Sequence, residues 1–169
     1  MIFIGGVHGV GKSYICNIIS QQTGLKIYSA SHLISEYKKK EFSKHKKVSE
    51  INKNQDILIE AFRQLNEQDC LLDGHFCLLN ETSQITRIPL STFSGLTPQK
   101  IILLFDNPTA IADRLFKRDG ILHDVKFIEE FQKQEVEHCN EVVETMNISH
   151  YIYDCSSDIK NLIDFLQDA

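Results

Sequence analysis

A chain of 169 residues, 42% hydrophobic and 24% charged, is long enough to fold one core that buries roughly two-thirds of the surface its unfolded form exposes. Its composition, with only 3 Pro and 8 Gly, excludes disordered and collagen-like classes. A formal charge of −5 excludes a broad grip on duplex nucleic acid, which takes many phosphate-neutralising cations.

Met1 to Ile4 is an apolar run of strand length, and Ile15, Ile18 and Ile19 share one helical face. Between them, Gly6-Val7-His8-Gly9-Val10-Gly11-Lys12-Ser13 satisfies G-x-x-x-x-G-K-[ST] in the context the motif requires, strand before and helix after. Glycines there let successive backbone N–H groups converge on phosphate oxygens, and the following helix adds the positive end of its dipole. The spacing assigns ATP to Gly6, His8, Gly9, Val10, Gly11, Lys12, Ser13 and Tyr14, with Lys12 on the β- and γ-phosphates and the Ser13 hydroxyl on Mg²⁺. For His8 a phosphate contact and a solvent-facing loop position are both open.

A second strand is expected at Lys26 to Tyr28, followed by Ser29-Ala30-Ser31. Lys38, Lys39, Lys40, Lys44, Lys46 and Lys47 then stand against Glu41 alone, a local excess of positive charge that suits either an anion site or a solvated helix. Leu58, Ala61, Phe62 and Leu65 form the next helical stripe, and Cys70 to Leu72 a third strand ending in Asp73-Gly74-His75. From Phe76 to Thr97, Ser, Thr and Asn are frequent and Pro89 and Gly95 punctuate the chain, which reads as a loop with short extended pieces. Ile101 to Phe105 and Tyr151 to Tyr153 complete five strands. Asn107-Pro108 opens a helix, Cys139, Val142, Val143 and Met146 mark a long one, and Ser156-Ser157-Asp158 precedes a last stripe at Ile159, Leu162, Ile163 and Leu166. Apolar strands alternating with helices predict an α/β fold of three layers, a parallel sheet covered on both faces.

Such a cradle needs a carboxylate at the end of another strand to hold Mg²⁺ or its waters. Asp73 and Asp106 both end strands. Asp106 is explained by the helix cap at Asn107-Pro108, which favours Asp73 for the metal. His75 suits either a neutral imidazole that orients a water or acceptor oxygen, or a purely structural hydrogen bond.

The five cysteines are odd in number, scattered and without a C-x-x-C pair, so they read as buried free thiols. With no basic leader before the first glycines and no run long enough to span a membrane, a cytoplasmic protein without a membrane partner is expected.

With the Gly6 to Ser13 loop, Leu72-Asp73-Gly74-His75, and Asp113 to Arg118 on the helix after the fourth strand, the chain resembles adenylate kinases, in particular the small Asp-x-His type of archaea and eukaryotes. The resemblance implies the P-loop NTPase fold with five strands in the order 2-3-1-4-5, and a single kinase domain over 1–169. It also implies an acceptor-binding arm at about 29–68, a short lid at about 118–126, and transfer from ATP to a nucleoside monophosphate. By the same resemblance Arg118, with Arg114 one turn earlier, would close over the transferred phosphoryl, and Lys12, Asp73 and His75 would complete the catalytic set. Ser29, Ser31, Arg63 and Gly74 would meet the acceptor. The family's arginine two residues after Asp-Gly is replaced by His75-Phe76-Cys77, which leaves Arg63, Arg87 or the lysine run to grip an acceptor phosphate. The competing readings are a kinase of another small molecule and a nucleotide-dependent ATPase or switch with a protein or RNA partner. A monomer or small homo-oligomer is expected.

Overall fold

The computed structural model describes residues 1–41 and 51–167. Lys44, Lys46 and Lys47 lie outside these residues. In chain order the elements are β1 (Ile2–Gly5), α1 (Lys12–Thr23), β2 (Lys26–Ser29), α2 (Ala30–Glu41), α3 (Ile51–Leu65) and β3 (Cys70–Asp73). There follow β4 (Cys77–Leu79), β5 (Ile85–Arg87), α4 (Leu90–Leu96), β6 (Lys100–Phe105), α5 (Pro108–Asp119), α6 (Val125–Met146), β7 (Ser149–Asp154) and α7 (Lys160–Gln167).

The five strands expected from the apolar runs form one parallel sheet in the order β2-β3-β1-β6-β7, and β4 with β5 forms a separate hairpin. Counting only the strands of the large sheet, this is the order 2-3-1-4-5. The central strand β1 carries Phe3 and Ile4, 2% and 0% exposed, because parallel strands joined by helices are covered on both faces. At the edge, Lys26 and Ile27 of β2 are exposed and Lys26 pairs with Glu67 at 2.6 Å, so this strand is less buried than its apolar run implies.

Register fixes which strand ends lie beside the glycine loop. Asp73 pairs with Ile4 on one side and Ser29 on the other, so three strand ends meet where β1 runs into the glycine loop. Behind this edge Phe3, Phe76 and Phe93 pack as one cluster: Phe3 meets each of the others edge to face, and Phe76 stacks on Phe93 at 5.2 Å. A Cβ on Gly5 would lie 2.3 Å from the Phe76 ring, so that approach requires a residue without a side chain.

The 76–97 stretch is more ordered than its composition predicts. Asn80 closes the β4–β5 turn by accepting the N–H groups of Thr82 and Gln84 at 3.0 and 2.9 Å. Helix α4 then buries Thr92, Phe93 and Leu96 against the core. The N-cap falls as the sequence predicts for α5, the Asn107 side chain accepting from Thr109 N and Ala110 N, and Gly120 at φ 70° ends the helix. Asp124 caps α6, so of the expected 118–126 lid only residues 120–124 lie between helices. Among the described residues no helix is long and apolar enough to cross a membrane. All five cysteines are free and four are buried.

Candidate active site

The loop after β1 holds itself open around the Lys12 ammonium. Its Nζ is buried and donates to Gly6 O at 2.6 Å and Val7 O at 3.2 Å. Burial lowers the Lys12 pKa, and the carboxylates of Asp73 and Glu135 oppose that shift. Gly9 sits at φ 80°, and a Cβ there would come within 2.8 Å of Leu115, so α5 packs directly on the loop. Arg114 locks the same contact: its Nε donates to Gly9 O at 2.9 Å and its Nη2 to Asp106 Oδ2 at 2.7 Å.

A cavity of about 460 Å³ opens between this loop, the end of β3, the helices α2 and α3, and α5. Of the sequence-predicted cradle, His8, Gly9, Gly11, Lys12, Ser13 and Tyr14 line it. Gly6 and Val10 do not; the Val10 side chain is buried in the core and its N–H is spent on Val7 O at 3.3 Å. Asp73, Gly74 and His75 line the cavity from β3, and Ser29 and Ser31, whose hydroxyls lie 3.0 Å apart, line it from β2 and α2. Arg114 and Arg118 line it from α5. Arg118 is bound bidentately to Asp119 at 2.7 and 2.6 Å, so it reaches a ligand only by leaving that partner.

Two predicted cations are placed elsewhere. Arg63 lines a different cavity, beside Met1 and Gln99 at the opposite ends of β1 and β6, because it lies in the last turn of α3, beyond Gln55 and Leu58, the α3 residues that line the first cavity. Arg87 is held on the outer side of α6 by Glu141 and Glu137 at 3.0 and 3.1 Å.

Asp106 differs from Asp73 in being already occupied: Arg114 pairs with one of its oxygens and Asn107 N donates to the other at 2.7 Å. Among the described residues Asp73 makes no such pair, and burial raises its pKa against the pull of Lys12. A hydroxyl at Ser13 and a carboxylate at Asp73 on one cavity are hard oxygen donors of the kind Mg²⁺ takes alongside waters and phosphates, so the residues present fit that ion.

Sequence reading missed Glu135 and Gln55. Glu135 is 1% exposed, and its carboxylate accepts the backbone N–H of Phe76 at 3.1 Å and of Cys77 at 2.9 Å, which fixes the turn that follows Asp73-Gly74-His75. Burial pushes it up to about 7, against those hydrogen bonds and the Lys12 charge. His75 Nδ1 is buried and has no hydrogen-bond partner among the described residues, 3.8 Å from Glu135 Oε1, and the His75 ring lies 4.3 Å from that of His8. Burial, then the charges of Lys12 and His8, hold His75 well below the usual histidine range, so it is a neutral imidazole. One turn before Glu135, Gln132 exchanges two hydrogen bonds with the backbone of Asp106, at 3.0 and 2.8 Å. Helix α6 thereby braces the ends of β3 and β6 together. Both missed residues leave a sequence signal: Glu135 interrupts the apolar stripe Ile128, Phe131, Cys139, Val142, and Gln55 is in register with Leu58 and Phe62.

Comparison with known proteins agrees with this geometry. A Methanocaldococcus jannaschii protein provisionally named adenylate kinase is 26% identical over 99% of this chain and 84% of its own length. Deoxyadenosine kinase from M. mycoides superimposes with a TM-score of 0.54 at 17% identity, covering 98% of this chain and 95% of that one. A gluconokinase from Sinorhizobium meliloti does so with a TM-score of 0.53 at 13% identity, covering 97% and 87%. Residues 5–132 match the family model described as AAA domain, and with its glycine loop and sheet order the chain belongs to that family as a P-loop kinase, built for nucleotide-dependent phosphoryl transfer.

Proposed function

We propose that this chain transfers the γ-phosphoryl group of ATP, with Mg²⁺, to a nucleoside monophosphate, AMP to ADP in the simplest case. The supporting observation is one continuous cavity of about 460 Å³ with the phosphate cradle, the Asp73 carboxylate and the Ser29–Ser31 arm all on its wall, so that donor and acceptor would share a single space. Lys12 leaves Gly6 O for the β- and γ-phosphates. Ser13 and Asp73 hold Mg²⁺, which neutralises charge on the phosphates. Arg114, fixed by Asp106, and Arg118, released from Asp119, supply positive charge where the transferred group passes. His75, neutral and braced by the turn that Glu135 holds, offers a hydrogen bond at the cavity wall without adding charge. Buried free thiols support a reducing compartment such as the cytoplasm.

The test is to incubate the protein with ATP, Mg²⁺ and each of AMP, GMP, CMP and UMP, and to separate nucleoside diphosphate from inorganic phosphate. Diphosphate above the hydrolysis background for at least one monophosphate is the expected result. Steady phosphate release with no transfer to any of them would sink the proposal in favour of an ATPase or switch.

A further inference from the structure

Glu135 carries more charge than the turn it holds requires. The N–H groups of Phe76 and Cys77 need an acceptor, and its carboxylate supplies one at 3.1 and 2.9 Å from within the apolar stripe of α6. A glutamine carbonyl would serve both N–H groups without burying an ionisable group, which is the costlier choice at a position 1% exposed. The charge is explained by what else its oxygens face. Oε1 lies 3.8 Å from His75 Nδ1, a nitrogen buried with no hydrogen-bond partner among the described residues.

A neutral imidazole has its proton on one ring nitrogen and a lone pair on the other, and a buried carboxylate beside one nitrogen decides which. With Nδ1 bare, a lone pair would face the carboxylate across a buried gap that screens the repulsion poorly. With Nδ1 protonated, the two groups attract. The Gly6 carbonyl also acts on the ring, but it already accepts from Lys12 Nζ at 2.6 Å, and Glu135 brings a full negative charge. We propose that Glu135 is a positioning residue for phosphoryl transfer, holding the His75 proton on Nδ1 so that the bare Nε2 faces the cavity as a hydrogen-bond acceptor. The inference rests on the reading of this cavity as the site of that transfer. Because Nδ1 is sealed while the ring lines the cavity with its side chain 15% exposed, the Nε2 edge is the one a ligand reaches. An acceptor there repels phosphate oxygens and attracts an O–H, such as that of a water in the Mg²⁺ shell. Phosphate oxygens are left to the cations of Lys12, Arg114 and Arg118.

Nuclear magnetic resonance reads the tautomer directly. With ¹⁵N-labelled histidine at about pH 8, above the value of about 7 to which Glu135 is pushed, two-bond ¹⁵N–¹H correlations show which ring nitrogen bears the proton, and loss of one set in His75→Ala assigns it. The wild-type protein is expected to show His75 protonated at Nδ1, alone and with a non-hydrolysable ATP analogue and Mg²⁺. Glu135→Gln keeps an acceptor for the turn, checked by circular dichroism and by stabilisation with the ATP analogue, and should move the proton toward Nε2. Its kcat for ATP turnover, counted as transfer plus hydrolysis, should fall about 10- to 100-fold with little change in KM. The same substitution made in His75→Ala should cost nothing further. His75 protonated at Nε2 in the wild type overturns the inference, whether or not any variant folds. So does a folded Glu135→Gln that keeps the Nδ1 proton and the wild-type kcat, and so does a further loss on top of His75→Ala, which would mark a purely structural role. The spectrum needs no acceptor, so absence of transfer to every monophosphate would refute the proposed reaction and leave the tautomer result standing.

Discussion

Glu135 keeps its proton to a higher pH in the folded chain than in the unfolded one, and the sign of the consequence follows from that ordering. With a native pKa raised from 4.5 to about 7, the folded state binds more protons across that interval. Its contribution to stability is therefore complete below about 4.5 and is lost as pH rises through about 7. His75 acts in the opposite sense, since a folded pKa well below 6.5 makes stability fall as the solution is acidified. Urea unfolding of wild type and Glu135→Gln at several pH values separates the two: the wild-type stability relative to the variant should decline between pH 4.5 and 7. A difference that stays flat would show that Glu135 does not titrate in this range. Lys12, Ser13 and Asp73 were legible in the sequence because a local motif and a strand end specify them. Glu135 and Gln55 were not, since their roles depend on which side chains the tertiary fold buries, although each broke an apolar stripe. Arg63 and Arg87 were the right residue type in the wrong place: Arg63 lies in the last turn of α3, beyond the cavity, and Arg87 is held on α6 by Glu137 and Glu141.

Helix α5 brings Arg114 and Arg118 to the cavity at a four-residue spacing, which puts both on one face. Their states differ. Arg114 is fixed across to the loop and Asp106, whereas Arg118 is tied to its own neighbour and exposed to solvent. An arginine that reaches its target only when charge develops there stabilises the transition state more than the ground state. Arg118→Ala should accordingly lower kcat by roughly 10²–10³ while changing the KM for ATP far less, and Asp119→Asn, which frees the guanidinium, should keep kcat at or above the wild-type value. Steady-state kinetics of the two variants check this, and parallel losses of kcat and affinity in Arg118→Ala would assign it to ground-state binding. At this scale the alternation of strands and helices was readable, down to the caps at Asn107 and Asp158, where Asp158 accepts from Lys160 N at 2.9 Å. Helix α4 was not, because Leu90-Ser-Thr-Phe-Ser-Gly-Leu96 has weak helix formers and is held by burial of Phe93 on Phe76.

A ligand that binds only the folded molecule stabilises all of it. ATP with Mg²⁺ at a hundred times its Kd should add about 2.7 kcal/mol, which for a chain of this length raises Tm by roughly 5–10 °C in a thermal-shift experiment. Lys12→Ala should abolish most of that shift and nearly all turnover; an undiminished shift together with wild-type turnover would show that the cradle lies elsewhere. The architecture behind this response has a further consequence, for the order in which the molecule assembles. Its central strand is the first in the chain, yet the partners of Ile2 are Leu71 on one side and Lys100 on the other. At a ribosomal rate of about 5–20 residues per second, the 98 positions between Ile2 and Lys100 take roughly 5–20 s to synthesise. Leu71 is made earlier, so until then β1 can pair on its β3 edge alone, and Phe3 and Ile4, buried in the finished protein, sit in a sheet that lacks β6 and β7. Loop closure over such separations makes parallel sheets slow to form, so newly made chains pass through a window in which an apolar strand has one open edge and is prone to self-association.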